Sequence, residues 1–229
     1  IGLSSIVLLT TLGGTTYDWL SPEIAGLGLI GLVAILVFAR VEQRAEEPIL
    51  PPHLFRNRVF VVTSALGFVV GFALFGSLTY LPLFQQVVRG LSPTESGLQM
   101  LPLMGGLLIA SIGSGQIVAR TGKYSVFPVT GTATTAVGFL ILAFITVDKP
   151  LWYLMVAMFV IGLGLGQLMQ TLTMAAQAAA EARDIGVATS SATFFRQIGG
   201  TLGTAIMLSL LFTILPLNIT NSLADEKSV

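Results

Sequence analysis

Residues 186–215 read GVATSSATFFRQIGGTLGTAIMLSLLFTIL. From about residue 192 onward this stretch is long and apolar enough to cross a bilayer, whose hydrocarbon core needs roughly 20 residues of α-helix. Arg196 stands out. A permanent cation among apolar neighbours is costly at membrane depth and marks a functional position.

The rest of the chain extends the same reading. Of 229 residues, 54% are hydrophobic and 10% charged, where a typical soluble domain carries about 25% charged residues. Apolar runs recur at residues 1–12, 24–39, 59–88, 96–119, 126–147, 151–177 and 192–217. The first is too short to span alone and reads as the end of a longer helix, so a fragment is expected. The fold class is therefore all-α: a polytopic membrane helical bundle of about seven apolar segments, the first truncated. A β-barrel would show alternating segments of about ten residues instead.

Composition also removes several kinds of chemistry. There is no cysteine, which excludes disulfide frameworks, iron–sulfur ligation and thiol catalysis. The single histidine, His53, lies in the polar, Pro-rich loop RVEQRAEEPILPPHLFRNR. No His-based metal site or Ser-His-Asp triad can be assembled from it, so no catalytic and no metal-binding residue is expected. A net charge of zero argues against a nucleic-acid partner. The expected surroundings are a lipid bilayer.

Lys and Arg placement sets the orientation. Arg40, Arg44, Arg56, Arg58, Arg120, Lys123 and Arg183 fall on one side of alternating loops, against Arg89, Lys149 and Lys227 on the other. The richer side is cytoplasmic by the positive-inside rule. Arg196 is then expected near the cytoplasmic boundary, as a gate or an interfacial anchor.

Three glycine pairs have small-xxx-small spacing: Gly67/Gly71, Gly162/Gly166 and Gly199/Gly203. Four residues bring both members to one helix face, where a neighbouring backbone can approach closely. The pattern means tight packing, and it also permits helices to slide or rock. Gln167, Gln170 and Gln177 lie on one side of the sixth segment, suited to a cavity or to interhelical hydrogen bonds. Phe72, Phe75, Tyr80 and Phe84 give the third segment an aromatic side. No Asp or Glu lies in the third to seventh segments away from their ends, so a proton-carrying carboxylate is not in this stretch.

At SGQIVARTGKY (residues 114–124) the chain resembles the loop motif of the major facilitator superfamily, which runs roughly G-x-L-a-D-R-x-G-R-R. Gly115, Arg120, Gly122 and Lys123 match it, and Ala119 stands where the family carries an acid. Gly115 and Gly122 are expected to permit a tight turn there. GGTTYDWLSP, EEPILPPHLFRNRVF, YLPLFQQVVRGLSPTESGLQMLPL and DIGVATSSATFFRQIGGTLGTAI follow the order seen in the fourteen-helix drug–proton antiporter branch (EmrB/QacA type), C-terminal half.

The resemblance implies an incomplete major facilitator fold. Residues 1–40 would hold the end of one linker helix and all of a second, and 41–58 a cytoplasmic connector. Residues 59–217 would supply five helices of the C-terminal transporter domain, and 218–229 an outer polar tail. It places Gln85, Met104, Gln167, Gln170 and Phe194 as candidate substrate contacts on cavity-lining helices. It implies part of a secondary active transporter in a bacterial inner (cytoplasmic) membrane, exporting small lipophilic or cationic substrates by alternating access. Such a protein has no cofactor beyond the proton gradient, and its chief partner is the N-terminal half of the same transporter. Export of a metabolite, lipid or siderophore is the alternative, and a non-transporting remnant or partner subunit a further one.

Overall fold

A computed structural model describes residues 2–12, 17, 21–42, 53–122, 124–145 and 149–226, with the backbone alone for 2, 3, 10, 11, 39, 42 and 210–226. Every element assigned among them is helical. The first two helices are α1 (Gly2–Leu12) and α2 (Pro22–Glu42). A short 3-10 turn (Leu54–Arg56) leads into α3 (Arg58–Val87). Then come α4 (Pro93–Leu98), α5 (Leu101–Thr121), α6 (Val126–Ala143) and α7 (Leu151–Ala178). A second 3-10 turn (Ala182–Asp184) precedes α8 (Ile185–Glu226).

The helix ends follow local chemistry. Asn57 caps α3: its side-chain oxygen accepts from the Val59 N–H at 2.9 Å. Ser92 and Glu95 form a reciprocal capping box at α4, each side chain bonding the other's backbone N–H. This box, with Pro93, starts a separate turn of helix, so the expected fourth segment (96–119) divides at Gln99–Met100 into α4 and α5. Gly122 ends α5 at φ +68°, a left-handed conformation that glycine adopts without steric cost, and its N–H bonds the Val118 carbonyl at 2.8 Å.

The helix α7 is the centre of the bundle. Leu154, Ala157, Met158, Ile161, Leu165 and Thr171 on it are fully buried. It packs against α5 and α6 and touches α3 and α8. Glycines decide how close those neighbours come. A Cβ on Gly162 or Gly166 would collide with the Leu103 or Leu107 carbonyl of α5, and one on Gly164 with Thr135 of α6. At 100° per residue, Gly162 and Gly166 share one face and Gly164 lies on the opposite one. Three alternate glycines thus let α7 sit between two backbones at once. The pair α3·α8 is built the same way: Gly71 abuts the Arg196 carbonyl, Gly199 the Phe68 carbonyl and Gly203 the Phe72 carbonyl. All three expected glycine pairs are therefore at interfaces, although Gly67 makes only ordinary contact, 3.7 Å from the Ala192 carbonyl.

Among the fully described residues, four helical stretches are long and apolar enough to cross a membrane: Arg58–Val87, Pro93–Thr121, Val126–Ala143 and Leu151–Ala178. Their large apolar side chains are widely exposed on the outside of the bundle, Leu108, Ile109, Val129 and Leu140 among them. That is the arrangement a lipid solvent requires, since bilayer chains rather than water meet those side chains. The helix α8 runs unbroken to Glu226, so helical backbone continues through 218–226.

Candidate functional site

The end of the bundle that holds the turn before α3 is pinned by side chains from far apart in sequence. His53 Nε2 lies 2.9 Å from Asp184 Oδ2, and Asn57 Nδ2 donates to the Ala179 carbonyl at 2.9 Å. Arg183 Nε approaches Glu181 at 3.1 Å and Asp184 at 3.7 Å. Beneath them Leu54 and Phe60 are buried with Ala176, Ala188 and Ala192. Phe55 sets its ring edge-on to Phe60 and Phe195. The turn before α3 is thereby fastened to the α7–α8 junction, and His53 acts as a tether there.

The loop-motif residues separate into different roles. Gly122 makes the turn, as expected. Gly115 does not: it is inside α5, where a Cβ would sit 3.3 Å from Gln170 Cγ of α7, so its smallness serves helix packing. Arg120 is exposed on the last turn of α5. Lys123 lies outside the described residues.

The expected cavity residues are not gathered into one cavity. Gln85 is fully buried, and neither end of its amide has a hydrogen-bond partner among the described residues. A ligand in an open cavity cannot reach it in this conformation. Met104 packs on the apolar core formed by α3, α5 and α7. The three amides of α7 part company. Gln167 accepts from Thr130 of α6 at 3.0 Å, Gln170 lies against Gly115 of α5, and Gln177 donates to Thr189 of α8 at 2.9 Å. Gln167 and Gln170 are 60° apart around the helix, enough to address different neighbours in a crowded bundle. The interhelical hydrogen bonds at Gln167 and Gln177 are thus the alternative that their sequence spacing left open.

Arg196 lies well inside α8 rather than at its start. Its apolar run begins at residue 192, but the helix α8 begins at Ile185. Arg196 is therefore roughly 16 Å along the axis from Ile185. Its backbone meets Gly71, itself near the middle of α3. No ion pair reaches its guanidinium among the described residues.

Phe194 borders a place where space opens along α8. Two clefts run along α8 where α1 packs against it. The larger holds about 500 Å³ and is lined by Val7 of α1, Phe75 of α3, and Gln197, Thr201, Thr204 and Leu208 of α8. The smaller, about 170 Å³, adds Ile6, Phe194 and Ile198, and shares Val7, Gln197 and Thr201. The volume of the larger falls in the ~300–1,000 Å³ range of small-molecule pockets, and mostly apolar walls with few polar groups suit such ligands. Sequence reading passed over Gln197, Thr201 and Thr204. Their spacing (i, i+4, i+7) was visible as one polar strip on an apolar helix, but only α1 makes that strip a wall.

A bundle with paired, glycine-lined helices and an intramembrane cleft is the setting in which comparison with known proteins bears on function. The family model described as Major Facilitator Superfamily matches residues 1–204. The chain belongs to that superfamily. Its members most similar to this chain include an uncharacterized MFS-type transporter of Mycobacterium tuberculosis, 42% identical over 98% of this chain and 33% of the relative. The multidrug transporter protein MdtP of Bacillus subtilis is 40% identical over 90% of this chain and 38% of its own length. A tetracycline resistance determinant of Streptomyces rimosus is 32% identical over 91% of this chain and 60% of its own. The chain spans about a third of the length of the first two relatives. It is an integral membrane protein with a partial major facilitator helical bundle.

Proposed function

We infer that this chain is part of a multidrug efflux transporter of a bacterial inner membrane, working by alternating access and driven by protons. The reading rests first on its 40% identity to a multidrug transporter across 90% of the chain. Superfamily transporters bind substrate at the interface of their repeats and rock one bundle against another. Smooth, glycine-lined contacts at α3·α8 and α5·α7 suit such motion, because backbone against backbone can shift without unlocking large side chains. Membership of a transporter superfamily over residues 1–204 supports transport as the chemistry. A proton carrier in this reading is a carboxylate elsewhere in the transporter, since α3, α5, α6 and α7 carry none. The partner is then the other half of the same transporter, and the substrates are small lipophilic or cationic compounds.

The test is efflux from everted membrane vesicles expressing the full-length gene product, loaded by a pH gradient. Fluorescent lipophilic cations should be accumulated, and a protonophore should abolish the accumulation. Accumulation that survives the protonophore would reject proton coupling, and none with any of a broad drug panel would reject multidrug efflux.

A further inference from the structure

We propose that the cleft between α1, α3 and α8 is a lateral binding site for an elongated lipophilic solute bearing one uncharged hydrogen-bonding group, with Gln197 as the residue that binds that group. The inference deepens the export reading by naming a substrate class and a site that the first helix, α1, helps to build.

Gln197 carries the argument. It stands roughly 18 Å along α8 from Ile185, in the cleft beside Phe75 of α3 and Val7 of α1. Its side chain is exposed, and no hydrogen bond reaches its amide among the described residues. Three neighbouring threonines are differently placed, while Thr204, also in the cleft wall, makes no such bond among the described residues. Thr189, Thr193 and Thr201 each donate to the carbonyl four residues back, at 2.7, 3.0 and 2.9 Å. Their hydroxyls are satisfied within the helix, whereas an amide side chain has two N–H donors and a carbonyl to fill. An amide left unpaired in hydrocarbon costs several kcal/mol on the scales where nothing can compensate. A solute that brings an acceptor and a donor to Gln197 removes that cost at the moment it binds.

The walls say what the rest of the solute must be. Val7, Phe75, Ala205 and Leu208 are apolar, and no charged side chain lines either cleft. Arg196 precedes Gln197 in sequence, but its backbone lies against α3 and it is 100° round the helix. Two clefts that share Val7, Gln197 and Thr201 continue one another past Gln197. That shape favours a solute with its polar group part-way along an apolar body. Phospholipid, by contrast, carries its polar group at one end, in the headgroup layer.

Photolabelling decides the question without needing transport. The full chain in phosphatidylcholine nanodiscs is irradiated with a diazirine-bearing secondary amide whose two alkyl arms flank the amide. Parallel discs contain a diazirine-bearing phosphatidylcholine instead. The expected result is saturable labelling of peptides containing Val7 and Leu208 by the amide probe, competed by unlabelled amide. Gln197→Leu should cut its apparent affinity about tenfold, as loss of a buried hydrogen bond does. Val7→Trp, which fills the cleft from α1 and leaves α8 intact, should abolish it. Labelling that never saturates, that is unchanged in both variants, or that only the phospholipid probe gives would overturn the proposal. Failure here leaves proton-driven export standing, and a failed efflux assay beside Gln197-dependent labelling leaves the site standing.

Discussion

Gly71 on α3 and Arg196 on α8 meet backbone to backbone: a methyl group on Gly71 would overlap the Arg196 carbonyl. The missing side chain of one residue therefore sets how deeply the other's helix is seated. Gly71→Ala is expected to destabilise the fold by about 1–3 kcal/mol, the usual range for overpacking. Gly113 on α5 has nothing within 4 Å of its would-be Cβ, and Gly113→Ala should be neutral or slightly stabilising. Thermal unfolding of both variants in detergent micelles tests this, and equal melting temperatures would contradict it.

Arg196 is a cation well inside α8 with no acidic partner among the described residues. In the full-length transporter Arg196→Gln should leave the amount of protein in the membrane unchanged while lowering export at least tenfold. Arg196→Lys should retain part of the activity, because it keeps the charge and loses the planar fork. Normal export per molecule with reduced membrane insertion would make Arg196 an anchor only.

Gln85 is buried with both ends of its amide unpaired. Replacing an unsatisfied polar group by an apolar one of similar shape is neutral or stabilising. Gln85→Met should therefore leave the melting temperature unchanged or raise it. A fall equivalent to more than about 1.5 kcal/mol, beyond what a volume-conserving swap costs, would mean the amide is satisfied in the membrane.

The Thr130–Gln167 hydrogen bond ties α6 to α7 at 3.0 Å. A double-mutant cycle with Thr130→Val and Gln167→Leu should yield a coupling of about 0.6 kcal/mol, the average for such bonds within membranes, and not above ~1.7. Zero coupling would show that the two side chains find other partners.

The tether between the turn before α3 and the α7–α8 junction should divide unequally between its parts. His53 is exposed, so His53→Ala should cost under about 1 kcal/mol. Leu54 is 3% exposed in the apolar cluster, and Leu54→Asp should cost several kcal/mol by burying a charge. Protease nicking of residues 43–57 reads the release directly. Leu54→Asp should speed it strongly and His53→Ala little.

Much of the architecture was legible in the chain. Apolar runs of membrane length, cations biased to one side, and glycines four apart are local patterns, and each has a local physical cause. They yielded a polytopic helical bundle, its span limits to within a few residues for α3 and α7, and the glycine interfaces. The site was less legible. Gln85, Gln167 and Gln170 are polar residues on apolar helices, and periodicity alone cannot say whether a cavity or a neighbouring helix receives them. Packing gave Gln167 to Thr130, Gln170 to Gly115, and left Gln85 sealed.

The sequence by itself determined that this chain is helical, lives in a bilayer and carries one cation within α8, because the cost of exposing peptide groups and charges to lipid is paid residue by residue. Only the tertiary structure decided placement and company. Arg196 came to lie against the middle of α3 because α8 seats on Gly71. Gln197 became the wall of a cleft because α1, nearly two hundred residues away in sequence, packs beside it. Those outcomes depend on which backbone lies against which, and no local pattern encodes that.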